Sequence, residues 1–164
     1  MPETLDMLAL ELGRHLRDQG LTLVTAESCT GGWIAKVVTD VPGSSTCFDR
    51  GFVTYSNPSK EELLGVRAET LAAHGAVSAE TAEEMARGAL AHSRGDVALA
   101  VTGIAGPDGG SEDKPVGTVI FAWMRRDAEP IIQRVQFAGD RNEVRHQSVR
   151  LGLGRLLEIL TAGG

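Results

Sequence analysis

The sequence predicts an α/β domain, a three-layer α/β/α sandwich around a mixed, mainly parallel sheet of about five to six strands. Three observations carry that expectation. Strand-like runs of β-branched and apolar residues alternate with helical patterns along the chain, as in a sheet covered by helices. The run Val97 to Thr102 (VALAVT) is apolar on both faces, which suits a central strand buried on both sides. Two later strand-like runs, Thr118 to Met124 and Ile131 to Phe137, are separated only by Arg125 to Pro130, a hairpin-sized link that makes the sheet mixed. A length of 164 residues suits a single domain, residues 1–164, that buries a core without disulfide or metal staples.

Each element has its own local reason. Leu5, Leu8, Leu12 and Leu16 recur at helical spacing, and Gly20 follows as a stop. Leu21 to Ala26 reads as a strand. Gly31 to Thr39 reads as a helix, ended by Val41-Pro42-Gly43. Cys47 to Tyr55 is strand-like, with Asp49, Arg50 and Gly51 interrupting it as a bulge would. Asn57 as N-cap and Pro58 as first helical residue open a short helix. Ser78 caps another, running to about Arg94 with Ala82, Met85, Ala86 and Ala89 on one face. Asp140, with Glu143 three residues on, forms a capping-box start for a last helix that uses Val149, Leu153, Leu156 and Leu160 and ends near Leu160.

Composition narrows the function classes. Sixteen bases against 22 acids give a net charge of -6, the wrong sign for a general nucleic-acid binder. Residues 1–120 carry -8 and residues 121–164 carry +2, so the basic end either meets an anionic ligand or is a solvated helix face. Two cysteines, Cys29 and Cys47, form no C-x-x-C motif and fit a reducing compartment. The first residues carry acids where a signal peptide carries bases, and no apolar run is long enough to span a membrane. A cytoplasmic protein is therefore expected. The four histidines are widely spaced and form no H-x-x-x-H pair, which leaves a metal site poorly supported. Glycine is in excess, at 20 residues in 164 against a usual ~7%, with no period.

Open α/β sheets bind ligands beyond the carboxyl ends of their parallel strands. Three candidate strands end there in reactive loops: Glu27 to Gly32, Ser56 to Lys60, and Thr102 to Pro107. Ser28 precedes a double glycine that opens a helix, where free N–H groups favour an anion or a developing oxyanion. It is either a nucleophile or, with Thr30, merely a helix cap. Lys60 falls in the first turn of its helix, where the dipole opposes a cation and lowers its pKa, as a general base requires. A solvated surface lysine is the plainer alternative. Lysine is scarce, however, at three against 13 arginines; Lys60 lies in the second of these loops and Lys114 in the glycine-rich continuation of the third, which runs to Gly117. The glycines of the Thr102 to Gly117 loop match neither a phosphate loop nor G-x-G-x-x-G. Gly103 and Gly106 either let backbone approach a ligand or shape a plain turn.

Three blocks in order, Ala26-Glu27-Ser28-Cys29-Thr30-Gly31-Gly32, Thr102-Gly103-Ile104-Ala105-Gly106-Pro107 and Lys114-Pro115-Val116-Gly117-Thr118, closely resemble the CinA C-terminal domain family. The resemblance covers roughly residues 5 to 160 and suggests the stand-alone form, without the second, molybdopterin-binding-like domain fused to some members. It implies a nicotinamide-nucleotide amidohydrolase that turns nicotinamide mononucleotide into nicotinic acid mononucleotide and ammonia. It further implies Ser28 as nucleophile, assisted by Tyr55 and Lys60. Thr102, Gly103 and Ala105 would bind substrate, and Arg141, with Arg145 as fallback, would hold the phosphate.

On that reading Lys60 accepts the serine proton directly or through Tyr55, and backbone N–H groups at Gly31-Gly32 or nearby hold the oxyanion. No metal or organic cofactor is needed. Cys29 is the rival nucleophile, although no histidine neighbours it in sequence. The partner is a small nucleotide, not nucleic acid or membrane, and a homo-oligomer is expected. A non-catalytic competence- or damage-associated role, or a nucleotide sensor that has lost the chemistry, is the alternative.

Overall fold

The structure, a computed structural model, describes residues 4–162. The chain runs α1 (Leu5–Asp18), β1 (Leu23–Glu27), α2 (Trp33–Thr39), β2 (Phe48–Val53), α3 (Asn57–Leu64), α4 (Ala68–His74), α5 (Ala79–Ala91), β3 (Val97–Gly103), β4 (Thr118–Arg125), β5 (Ile131–Gln136) and α6 (Arg141–Ala162). The five strands lie in the order β2-β1-β3-β4-β5. β1 pairs parallel with β2 and β3, whereas β4 is antiparallel to β3 and β5. The sheet is thus mixed, as expected, with β4 alone reversed. No helix among the described residues is long and apolar enough to cross a membrane.

Strand alternation divides the core. Leu23, Leu99, Val101, Phe121 and Trp123 face α1, α2 and α6, where Leu8, Leu12, Leu16, Ile34, Leu153 and Leu156 close over them. The buried Trp123 indole donates to the Gly152 carbonyl of α6 at 2.9 Å, so its polar atom is satisfied. The opposite face is small: Ala26, Ala98, Ala100 and Ala122 meet Ala82, Ala86 and Ala89 of α5. Alanine on alanine lets α5 lie close against the sheet. Gly88 continues that closeness on the far side of α5, because a Cβ there would collide with the Leu64 carbonyl at the end of α3.

Several boundaries differ from the sequence reading, each for a local reason. The α2 helix starts at Trp33, because Gly31 (φ +59) and Gly32 (φ +98) are left-handed and belong to the loop. β2 carries the expected bulge: Leu23 pairs with Phe48 and Val24 with Arg50, leaving Asp49 extra. Asp49 accepts from the Arg94 N–H at 2.9 Å, so the polar interruption of this edge strand is structural. Ser56, not Asn57, caps α3 in a reciprocal box with Ser59. α4 escaped the sequence reading because seven residues with only Thr70 buried show no usable period. The reciprocal Asp140–Glu143 cap at α6 is present (3.0 and 2.9 Å).

Gly88→Ala tests the α3–α5 approach. The added methyl must push α3 away, and overpacking of this kind costs roughly 1–3 kcal/mol. Urea unfolding should show that loss, and a variant as stable as the parent would mean that the two helices are loosely seated.

Candidate active site

Glu27 ends β1, and Ser28 extends the strand by donating its N–H to the Val101 carbonyl at 3.0 Å. This places Ser28, 7% exposed, at the carboxyl end of the sheet between β2 and β3. On the neighbouring strand, Thr54 continues the ladder through its N–H to the Glu27 carbonyl (2.8 Å), and the chain then turns into α3. Lys60 projects from that helix back toward the sheet. Its side chain is 1% exposed, and its Nζ donates to the Thr54 carbonyl at 2.8 Å and to Ser28 Oγ at 3.0 Å. Two of the three expected loops therefore meet at a serine–lysine pair.

Burial lowers the Lys60 pKa below the ordinary lysine value of 10.5, since the ammonium has lost its water. The sequence argument had the right direction but invoked the helix dipole; desolvation is the dominant cause. The solvated-lysine alternative is excluded by the same burial. Nor does Ser28 or Thr30 serve as an ordinary helix cap. The α2 N-cap is Gly32, without a side-chain bond, and Thr30 Oγ1 instead donates to Glu27 Oε1 at 2.6 Å. Cys29 is buried, and burial pushes its thiol up to about 12, so it stays protonated and a poor nucleophile.

The backbone N–H groups after Ser28 differ in what they donate to. The Gly31 N–H donates to the Ser28 carbonyl at 3.0 Å. Among the described residues, the N–H groups of Cys29, Thr30 and Gly32 have no hydrogen-bond acceptor on another residue.

Tyr55 and Arg141 sit together. The Arg141 guanidinium donates to the Tyr55 hydroxyl at 2.9 Å and to the Gly106 carbonyl at 2.8 Å, joining the loop after β2, the loop after β3 and the start of α6. Tyr55 is 61% exposed, and its hydroxyl bonds Arg141 rather than Ser28 or Lys60. Arg145, one turn along α6, donates from Nε to the Cys29 carbonyl (3.0 Å) and from Nη2 to the Thr30 carbonyl (3.2 Å), with its guanidinium 5.9 Å from the Trp33 ring centroid. It is committed to the Ser28 loop.

In the third loop, Thr102 Oγ1 donates to the Ala76 carbonyl at 2.9 Å, and Ala105 is buried. Val119 and the Thr118 carbonyl occupy the space that a Cβ at Gly103 would need, so packing alone requires glycine there. Lys114 Nζ donates to the His74 carbonyl at 2.7 Å and does not reach the serine–lysine pair. The sequence reading overlooked Glu27. Its signal was an acid placed directly after the strand-like run Leu21 to Ala26, at the start of the reactive loop.

Fold and site define a three-layer α/β domain with a buried serine–lysine pair at the carboxyl edge of its sheet. The chain belongs to the CinA C-terminal domain family, whose model matches residues 5–160. It is 56% identical over 149 residues, 91% of this chain and 90% of the relative, to an Escherichia coli (strain K12) protein named nicotinamide-nucleotide amidohydrolase PncC. A Pseudomonas putida protein of the same name is 52% identical over 155 residues, 94% and 96% of the two chains. The crystal structure of the competence/damage inducible protein CihA from Agrobacterium tumefaciens superposes with a TM-score of 0.93 at 46% identity, covering 98% of each chain.

The depressed Lys60 pKa makes a stability prediction with a fixed sign. Between that pKa and 10.5 the unfolded chain binds a proton that the folded chain does not, so stability rises with pH across the window. Lys60→Met lacks the group. Urea unfolding from about pH 7 to pH 10 should show the wild type gaining on Lys60→Met as pH increases; a constant difference would contradict a depressed value.

Proposed function

We propose that this amidohydrolase cleaves the carboxamide of nicotinamide mononucleotide, with Ser28 as the nucleophile and Lys60 as its base. The observation that carries the reading is the 3.0 Å contact between Lys60 Nζ and Ser28 Oγ in a buried setting. The substrate follows from the amidohydrolase name borne by relatives at 52–56% identity over most of this chain.

The chemistry needs a neutral lysine, and burial favours that form. One N–H remains on the Thr54 carbonyl, the lone pair turns to Ser28, and the sense of the Ser28–Lys60 hydrogen bond reverses. Ser28 Oγ attacks the carboxamide carbon as its proton passes to Lys60. The Cys29 and Thr30 N–H groups, adjacent to the nucleophile and without another acceptor, stabilise the oxyanion. Collapse breaks the C–N bond, Lys60 returns the proton to nitrogen, and ammonia leaves an ester on Ser28. Water, deprotonated by Lys60, attacks that ester; breaking the C–O bond frees Ser28 and releases nicotinic acid mononucleotide.

Arg141 is the cation for the phosphate, beside the N-terminus of α6. Tyr55 acts through it, fixing the guanidinium by their 2.9 Å bond. Gly31, Gly32, Thr102, Gly103 and Ala105 contribute backbone to the binding face, because the Thr102 hydroxyl is already bonded and the glycines have no side chain.

Ser28→Ala should fold normally and lose ammonia release from nicotinamide mononucleotide by at least about 10³-fold. Substantial remaining turnover would remove Ser28 as nucleophile, whereas a wild type that binds the nucleotide and releases no ammonia would make the protein a sensor. Arg141→Met should raise KM about 10- to 100-fold through loss of a charge-assisted contact. Tyr55→Phe should raise it less, and the double variant should fall short of the product of the two effects. Full additivity would show that Tyr55 works independently of Arg141.

A further inference from the structure

Glu27 is 1% exposed, and its carboxylate lies at the start of α2. Oε1 accepts from Thr30 Oγ1 at 2.6 Å and from the Ile34 N–H at 2.8 Å, while Oε2 accepts from the Ala35 N–H at 3.0 Å. Burial raises its pKa above the ordinary 4.5, and these hydrogen bonds oppose that rise. The α2 helix has no cap from its own N-cap residue, Gly32. A carboxylate reaching forward from the preceding strand replaces it.

That arrangement closes residues 28–32 into a loop pinned at both ends by one side chain and its own backbone. The Glu27 carbonyl also accepts from the Thr54 N–H at 2.8 Å, and the Thr54 carbonyl is the acceptor that aims Lys60. One residue therefore braces the surroundings of both halves of the serine–lysine pair, through its carbonyl on Thr54 and its carboxylate on Thr30, Ile34 and Ala35. The same carboxylate consumes the helix N–H groups of Ile34 and Ala35 that would otherwise compete for an anion, leaving those of Cys29 and Thr30 beside Ser28.

We propose that Glu27 is a positioning residue for the reaction: its carboxylate holds the Ser28 loop so that Oγ meets Lys60 and the Cys29 and Thr30 N–H groups face the reacting carbonyl. The inference rests on the Ser28–Lys60 reading of the site. Gln in place of Glu27 keeps the shape and the Thr30 contact, but it sets an NH2 against a backbone N–H where an oxygen now accepts.

Two readouts separate the inference from the reading beneath it. The first is steady-state turnover of nicotinamide mononucleotide. The second is covalent labelling of Ser28 by a fluorophosphonate, followed by intact mass, which needs no substrate. Glu27→Gln should lower kcat and the labelling rate by about tenfold or more, with KM changed less than about threefold. If Glu27→Gln does not fold, Thr30→Val removes one bond to the carboxylate and should move both readouts the same way, with Thr30→Ser recovering most of the loss. Wild-type kcat and labelling in Glu27→Gln would overturn the proposal. Slower labelling in Glu27→Gln, with no nucleotide turnover by the wild type, would support positioning by Glu27 and refute the assigned substrate. A wild type in which Ser28 is never labelled would refute the Ser28–Lys60 reading, and the positioning role with it.

Discussion

Burying the Lys60 amine strips it of water and leaves two protein partners, the Thr54 carbonyl and the Ser28 hydroxyl. An ammonium has three donors to satisfy, so two partners in a dry site favour the form with two hydrogens and a lone pair. The surroundings of that amine are set by the backbone. β2 stops at Val53, Thr54 stays in the ladder through its N–H, and its carbonyl is thereby turned toward α3. The serine arrives by the equivalent route, one residue past the end of β1 and still bonded to β3. Parallel neighbours ending at the same level are what bring two distant stretches of sequence within a hydrogen bond of each other.

The depth of Lys60 depends in turn on how closely α3 is held. The alanine face of the sheet draws α5 inward, and Gly88 receives the Leu64 carbonyl at the last turn of α3. Leu64 and Val66 are both buried in that cluster. A larger residue on either alanine surface would lift α5, and with it the helix that carries the lysine. The small-residue packing on this face thus belongs to the same chain of cause as the depressed lysine pKa.

The fold was legible where pattern and punctuation agreed. VALAVT gave β3 because a strand buried on both sides leaves no polar position, and Asp140 with Glu143 marked the start of α6 through a pair of reciprocal bonds. α4 was not legible, since one buried residue in seven leaves no periodicity. Ser28 and Lys60 could be chosen from loop position and type, but the reason for the lysine's pKa lay in tertiary burial that no local rule contains. Which N–H groups of the Ser28 loop are already bonded was hidden for a related reason. A double glycine before a helix ordinarily offers free N–H groups, and only the structure shows the Ser28 carbonyl taking that of Gly31. The glycine excess likewise divides by cause: Gly31 supplies a left-handed turn, while Gly88 and Gly103 make room for a neighbour.

Arg141 and Arg145 show how a single helical turn separates two roles that sequence alone leaves interchangeable. Both project from the first turns of α6 near the same loops, and both were candidates for an anion. Arg145 spends its guanidinium on the Cys29 and Thr30 carbonyls, so it tethers α6 to the Ser28 loop. Arg141 bonds a carbonyl and an exposed phenol, partners that leave the guanidinium at the surface beside the helix N-terminus. For a chain of net charge -6, long-range attraction does little to draw in an anionic nucleotide. A local cation is what such an anion would need, and of these two arginines Arg141 is the one whose guanidinium is not committed to the Ser28 loop.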